Sequence, residues 1–343
     1  MTRKLAHVET ILEIIPHTNA DTLEIVHVLG WQCIVLKGQF KANDKIVFIE
    51  PDSILPEGQP AWEFMRARGF RVKTIMLRKT ISQGLVFNVH TLLADKYLSL
   101  CEQLGISSIP DGTDVTELLN ITKYEPYVPA NLSGLVKGNF PEFLHKTDEE
   151  RVQNIPDVLI RHAGKEFYMS EKVDGSSMTV YYNNGEFGVC SRNLDLTETV
   201  DNTFWKVARK LRIDQALRGC GNYAIQGELI GNGIQDNKYN LSGVEFKVFN
   251  VFDIDAGKYL AFADFKRFVV AVRLETVPLL GTITLSHTVE QLLELVKGIS
   301  ILNKHTPREG VVFRPLVEEF DNDLHGRLSF KGINKEFLLK YNE

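Results

Sequence analysis

Along the first hundred residues, short apolar and β-branched runs are separated by polar turn signals. HVETILEIIPHTNADTLEIVHVLGWQCIVLKGQFKANDKIVFIE holds several such runs, broken by Pro-His-Thr-Asn-Ala-Asp, Leu-Gly and Lys-Ala-Asn-Asp. Short strands at that spacing predict a small closed barrel or sandwich. From about Gln103 to Lys137 the pattern gives way to Pro-, Gly- and Ser-containing pieces such as ISSIPDGTDVTE and YEPYVPANLSG, which predict a linker with one short helix at VTELLNI. Beyond it, strand and helix periods alternate. EFYMSEKVDGSSMTVYYNNGEFGVCSRN predicts strands turned by Asn183-Asn184-Gly185. TVDNTFWKVARKLRIDQAL predicts a helix with Val200, Phe204, Val207, Ala208 and Leu211 on one face. YAIQGELIG, VEFKVFNVFDIDAGKYLAF, REGVVFRP and RLSFKGI read as strands, ADFKRFVVAVRLE and TVEQLLELVKGIS as amphipathic helices. No parallel βαβ rhythm runs through them, so an α+β fold with a mixed sheet is expected. The predicted division is an OB-like barrel over residues 1–102, a linker over 103–137 and a mixed-sheet domain over 138–343.

Composition narrows the class of protein. With 44% hydrophobic and 24% charged residues among 343, the chain is an ordinary globular one with a real core. A net charge of -5 speaks against a protein that coats nucleic acid non-specifically, but leaves room for a local basic groove. Cys33, Cys101, Cys190 and Cys220 show no CxxC or Cys/His pairing, so neither a disulfide framework nor a structural zinc site is expected. MTRKLAHVETILEIIPH is charged where a secretory signal needs an apolar core, and no apolar run approaches the roughly 18–20 residues that span a bilayer. The expectation is a soluble intracellular protein, cytoplasmic by default and with the nucleus left open.

Two stretches stand out chemically. FMRARGFRVKTIMLRKTISQG gathers Arg66, Arg68, Arg71, Lys73, Arg78 and Lys79 around Phe64 and Phe70. Cations interleaved with aromatics suit a nucleic-acid surface; the same residues also fit a solvated strand face with its rings turned inward. In SEKVDGSS, Lys172 stands where a strand enters a sheet, and burying an amine costs several kcal/mol unless something compensates. An amine becomes a nucleophile only when deprotonated. Asp174 could hold a metal ion through water, and Gly175 permits a tight turn or a close approach. Further pieces follow in order: Ser191-Arg192-Asn193, GELIG around Glu228, KVFNVFDI around Phe249, EGVVFRP with Glu309 and Val312, and SFKGIN with Lys331. They supply cations, carboxylates and a flat ring, which are the parts a nucleotide site needs. Phe252 and Val248 read as core residues beside Phe249.

This ordered series resembles nucleotidyltransferase motifs I, Ia, III, IIIa, IV and V of the covalent lysyl-nucleotide superfamily of polynucleotide ligases and capping enzymes. The barrel-like piece precedes the motifs, and few residues follow SFKGIN. That order resembles the ATP-dependent RNA ligases with an N-terminal OB module more than DNA ligases or capping guanylyltransferases, whose OB domain follows motif V. A non-catalytic OB-type RNA-binding protein is the reading from another class, and the intact Lys172, Glu309 and Lys331 oppose it. The resemblance implies an ATP-grasp-like ligase domain that uses ATP and Mg²⁺ or Mn²⁺ to seal a nicked duplex with an RNA 3′-OH strand.

It also implies roles for individual residues. Lys172 would carry AMP and Lys331 would contact the α-phosphate, while Asp174 and Glu309 would hold the metal through its water shell. Phe249 and Val312 would sandwich adenine, Glu228 would meet the ribose, and Arg192 a phosphate or the 3′-OH end. Arg151 would reach the β- or γ-phosphate. Glu171 would be structural or would contact adenine through the backbone. The chain departs from the motif V pattern K-x-K, because Ile333 occupies the second position; Lys335 or Lys340 is the expected substitute. No partner protein and no membrane attachment are expected.

Overall fold

A computed structural model of the chain describes residues 3–125 and 135–342. The chain divides into two compact units, Met1–Pro126 with Leu338–Glu343, and Tyr127–Phe337.

The first unit is built from β1 (Ala6–Thr10), β2 (Glu13–Pro16), β3 (Leu23–Val28), β4 (Trp31–Leu36), β5 (Lys45–Ile49), β6 (Ser53–Ile54), β7 (Thr74–Leu77), β8 (Thr80–Gln83), β9 (Leu85–Asn88) and β10 (Thr122–Lys123). They pair as β1-β5-β9, β2-β3-β4, the hairpin β7-β8, and β6-β10. Alternation along β3 and β4 sends Val26, Val28, Trp31, Cys33 and Val35 into one core. Arg3, His7, Glu9 and Glu50 form a charged cluster within this unit, in which His7 Nδ1 lies 2.7 Å from Glu9 Oε1 and 3.4 Å separates His7 Nε2 from Glu50 Oε1. Burial alone would push the His7 pKa down, but Glu50 and Glu9 outweigh it and raise it to about 9.

The linker expected over 103–137 is corrected. Ile109, Val115, Leu119 and Ile121 are buried in the core of the first unit beside Leu5, Val8 and Trp62. VTELLNI forms hydrogen-bonded turns (Leu119 N–H to Val115 O, 3.0 Å) rather than a helix. Its apolar residues are spent on a core contact with β1, and Val115 N–H donates to Ala6 O at 2.9 Å. Part of the predicted linker, residues 126–134, lies outside the described residues. Residues 136 and 137 already belong to a strand.

The second unit contains β11 (Val136–Asn139), β12 (Glu150–Arg151), β13 (Glu166–Lys172), β14 (Ser176–Asn183), β15 (Glu186–Cys190), β16 (Leu194–Leu196), β17 (Tyr223–Gly231), β18 (Val244–Asp253), β19 (Lys258–Tyr259), β20 (Glu275–Thr276), β21 (Leu279–Thr284), β22 (Gly310–Pro315), β23 (Phe320–Asp321), β24 (Gly326–Arg327) and β25 (Phe330–Ile333). One sheet runs β11-β16-β15-β14-β17-β18-β19 with β20 added to β18, and a second runs β12-β25-β22-β13-β21. Pairing is antiparallel in both, apart from β12 with β25 and β18 with β20, so the sheets are mixed as expected. The turn at Asn183-Asn184-Gly185 joins β14 to β15, with φ of 50° at Asn184 and 88° at Gly185.

The outer faces bury two separate cores. Met178, Val180, Ile225, Leu229 and Val248 of the first sheet pack on Phe204, Trp205, Val207 and Ala208. That helix starts at Thr203, capped by Asn202, so Val200 falls outside it and stays exposed. Phe167, Val311, Phe313 and Phe330 of the second sheet pack on Leu292 and Val296. The latter two belong to the helix Val289–Val296, which opens with a capping box at Thr288 and Gln291. No helix among the described residues is long and apolar enough to cross a membrane.

Candidate active site

Lys172 ends β13 in the second sheet, and Ser176 begins β14 in the first. Lys172-Val173-Asp174-Gly175 is therefore the step by which the chain crosses between sheets. Gly175 has no room for a side chain, since a Cβ there would meet Leu229 O at 2.3 Å and Ile230 Cγ2 at 2.8 Å. Only glycine lets the Lys172–Gly175 loop lie this close to β17.

The period-2 rule explains which side chains share the face of the second sheet opposite its core. Lys172 pairs with Gly310, Ser170 with Val312 and Tyr168 with Arg314 across β13 and β22. Lys331 pairs with Val312 across β22 and β25, and Arg151 pairs with Lys331 across β12 and β25. Lys172, Val312, Arg314, Lys331 and Arg151 thus lie on one face, while Val311, Phe313 and Phe330 turn into the core. Glu171 has the opposite parity. It accepts the Ile301 N–H at 2.9 Å and ties β13 to that loop, and burial pushes its pKa up. The structure thus gives Glu171 a structural bond.

On the first sheet Glu228 lies across from Ser177 and Lys247, with its neighbours Gly227 and Leu229 turned the other way. The ladder slips at this point: Gln226 pairs with Asn250 but Gly227 pairs with Val248. Phe249 is the extra residue of a β-bulge, a device that re-aims a side chain. Its carbonyl accepts from buried Arg314 at 3.3 Å, and the Arg314 guanidinium lies 5.9 Å from its ring centroid. Phe252 and Val248 are core residues.

Charge is concentrated around Lys172. Its Nζ lies 2.5 Å from Glu309 Oε1, and Glu309 immediately precedes β22. Burial pushes the amine's pKa down, but Glu309, Glu228 and Asp174 overcome this and hold it above the ordinary value. Glu228 is pushed up to about 8, first by burial and then by Glu309 and Asp174, against the pull of Lys172 and Arg192. The buried Glu309 Oε2 has no hydrogen-bond partner. That unpartnered oxygen fits a cation, and among the described residues no three His, Cys, Asp or Glu side chains converge as direct ligands.

Three features were not foreseen. Asp148 bridges two of the predicted cations, with Oδ1 3.0 Å from Lys331 Nζ and Oδ2 3.1 Å from Arg192 Nη2. The neighbouring Glu149 pairs with Arg314 at 2.6 Å. Lys238 Nζ lies 2.8 Å from Asp174 Oδ2, and the Tyr239 hydroxyl accepts the Asp174 N–H at 2.8 Å. None of these residues belongs to the motif series, though HKTDEER does stand out as a charged run before β13.

The six basic residues of the FMRARGFRVKTIMLRKTISQG stretch separate. Arg66 pairs with Glu63. Arg71 stacks 3.4 Å from the Tyr124 centroid and lies 3.7 Å from Asp52, and Lys73 donates to Asn342 O at 2.8 Å. Arg68 is exposed, as are Arg78 and Lys79, which form the tip of the β7-β8 hairpin. Phe70 is buried and Phe64 is exposed.

The sequence pattern of the RNA ligase family matches residues 165–333, and an OB-fold domain pattern matches residues 5–89. Among solved structures, a Naegleria gruberi RNA ligase with pyrophosphate is 38% identical over 99% of each chain, with a TM-score of 0.88. The chain belongs to the RNA ligase family. A glutamate-to-alanine variant of the Naegleria gruberi enzyme, solved with ATP and Mn, is 38% identical to this RNA ligase over 99% of this chain and 100% of that one, with a TM-score of 0.88. A lysine-to-methionine variant with AMP and Mn is 38% identical over 98% of each chain, with a TM-score of 0.87. No curated protein matched in the sequence search. The α+β architecture with an N-terminal OB fold and a C-terminal ligase unit is that of this family.

Proposed function

We propose that this RNA ligase uses ATP to seal 3′-OH/5′-phosphate nicks whose 3′-OH strand is RNA, through a lysyl-N-AMP intermediate on Lys172 and an adenylylated 5′-phosphate. The observation that carries the reading is the Lys172 amine, held at the crossover of two sheets against Glu309 Oε1 at 2.5 Å. Solved relatives containing ATP and Mn, AMP and Mn, or pyrophosphate support ATP and a divalent cation.

Lys172 attacks the α-phosphorus after losing a proton, for which Glu309 is the nearest acceptor. The P–O bond to pyrophosphate breaks in line with the new P–N bond, so positioning and charge neutralisation carry the rate. Phe249 stacks on adenine, with Val312 at its other face. Glu228 meets the ribose hydroxyls. Lys331, Arg192 and Arg151 take phosphate oxygens. A divalent cation held through water by Asp174 and Glu309 would neutralise phosphate charge and weaken the hold of Lys172 on its proton. AMP then passes to the RNA 5′-phosphate, and attack by the 3′-OH releases it. The exposed Arg68, Arg78 and Lys79 of the OB unit dock the nucleic-acid backbone.

Incubation with Mg²⁺ and α-labelled ATP should label the protein through a bond that survives base and is lost in acid. Lys172→Met should abolish the label while ATP still binds. Absence of label on the parent protein refutes the reading, and label from GTP alone would move it to capping chemistry. Nicks with RNA and DNA 3′-OH strands should be sealed unequally. Arg78→Glu with Lys79→Glu should impair sealing and spare labelling.

A further inference from the structure

The loop joining β17 to β18, GNGIQDNKYNLSG in outline, reads as turn punctuation, yet its shape is elaborately maintained. Gln235, Asn237 and Asn240 all take left-handed conformations, with φ of 40°, 46° and 54°, which non-glycine residues adopt at a cost. The Asn237 side chain closes on Leu241, donating to its carbonyl at 2.9 Å and accepting its N–H at 3.0 Å. The Lys238 carbonyl accepts from Asn303 Nδ2 at 3.2 Å and Thr306 Oγ1 at 3.0 Å. These bonds deliver two side chains to the nucleophile loop. Tyr239 fixes the Asp174 backbone, and the Lys238 ammonium, its side chain only 5% exposed, reaches Asp174 Oδ2 at 2.8 Å.

Burying an ammonium against a carboxylate takes two charges out of water, which costs several kcal/mol per ion before their attraction repays it. Of the lysines expected to substitute at motif V, Lys335 has Lys297, Glu294 and Glu290 as its charged neighbours. Ile333 is buried. Asp174 cannot serve an ammonium and a hydrated dication equally, because the two cations repel.

We propose that Lys238 holds Asp174 until a divalent cation claims that carboxylate, and that the released ammonium then serves the phosphate chain during lysine adenylylation. This rests on the ligase reading above. Lys238 is a positioning residue before nucleotide arrives and a phosphate contact afterwards.

The test uses the full chain. In Lys238→Met, Mn²⁺ binding to the nucleotide-free protein, followed by electron paramagnetic resonance, should tighten about three- to tenfold because a competing cation is gone. Single-turnover labelling by ATP at saturating Mn²⁺ should slow at least tenfold, and Lys238→Arg should recover part of it. Sealing of a nick already carrying the 5′-adenylate should change less than threefold, since no pyrophosphate leaves in that step. Lys238→Gln keeps an N–H donor for Asp174 and repeats the measurements if the methionine variant melts lower. Unchanged Mn²⁺ affinity overturns the proposal, as does labelling at the parental rate. If the parent itself takes no label, the ligase reading has failed; if parent and variant label alike, only the role of Lys238 has.

Discussion

Glu228 should destabilise the enzyme that it serves. Its carboxyl is raised from 4.5 to about 8 by burial and by the neighbouring Glu309 and Asp174, net of attraction to Lys172 and Arg192. An acid with a raised folded-state pKa contributes stability that is complete below its unfolded pKa and lost as pH climbs through the folded one. Glu228 therefore costs about 3 kcal/mol at pH 7, where the unfolded carboxyl has ionised and the folded one still holds its proton, and under about 1 kcal/mol at pH 5. Glu228→Gln keeps the shape and removes the titrating group. In chelator and without nucleotide, the variant's second unit should be more stable by about 3 kcal/mol at pH 7, or roughly 6–12 °C in Tm. Hydrogen exchange of peptides from β14 and β17 under rising urea reads that unit alone. Labelling by ATP should fall at least a hundredfold in the same protein, a trade of activity for stability. A variant no more stable than its parent at pH 7 would refute the argument, as would a gain just as large at pH 5.

Other consequences can be measured directly. Gly175→Ala places a Cβ 2.3 Å from Leu229 O, so it should cost about 3 kcal/mol of stability, seen in urea unfolding, and impair adenylylation. Phe249→Ala should weaken ATP binding by about 1–3 kcal/mol, taking base–aromatic stacking as the guide, and calorimetry would read the loss. His7, raised from 6.5 to about 9, stabilises the first unit fully below pH 6.5. That contribution, about 3 kcal/mol, should be lost as pH rises through 9, and His7→Gln should flatten the slope.

Much of the site was legible because its parts lie on strands. A strand fixes side-chain direction by parity, so Lys172, Val312 and Lys331 fall on one sheet face once their registers are known. Asp148 and Lys238 reach the same region from irregular segments, where no period says which way a side chain turns. Val115, Leu119 and Ile121 were hidden differently. Pro110 and Gly112 suggested a free linker, but apolar residues at such spacing can fill a core without forming a helix. Val200 failed for a simpler reason: the cap at Asn202 starts the helix after it.

The bulge at Phe249 has a bearing on how this site can change. Removing that single residue would leave Val248 and Asn250 consecutive, opposite Gly227 and Gln226, as an uninterrupted ladder requires. Strand parity on both sides would be unchanged, at the expense of the bond from Arg314. A one-codon deletion could thus strip the enzyme of the Phe249 ring and keep the sheet in frame. By the same arithmetic, a plain ancestral strand could have acquired the ring through one insertion, without any other residue changing face.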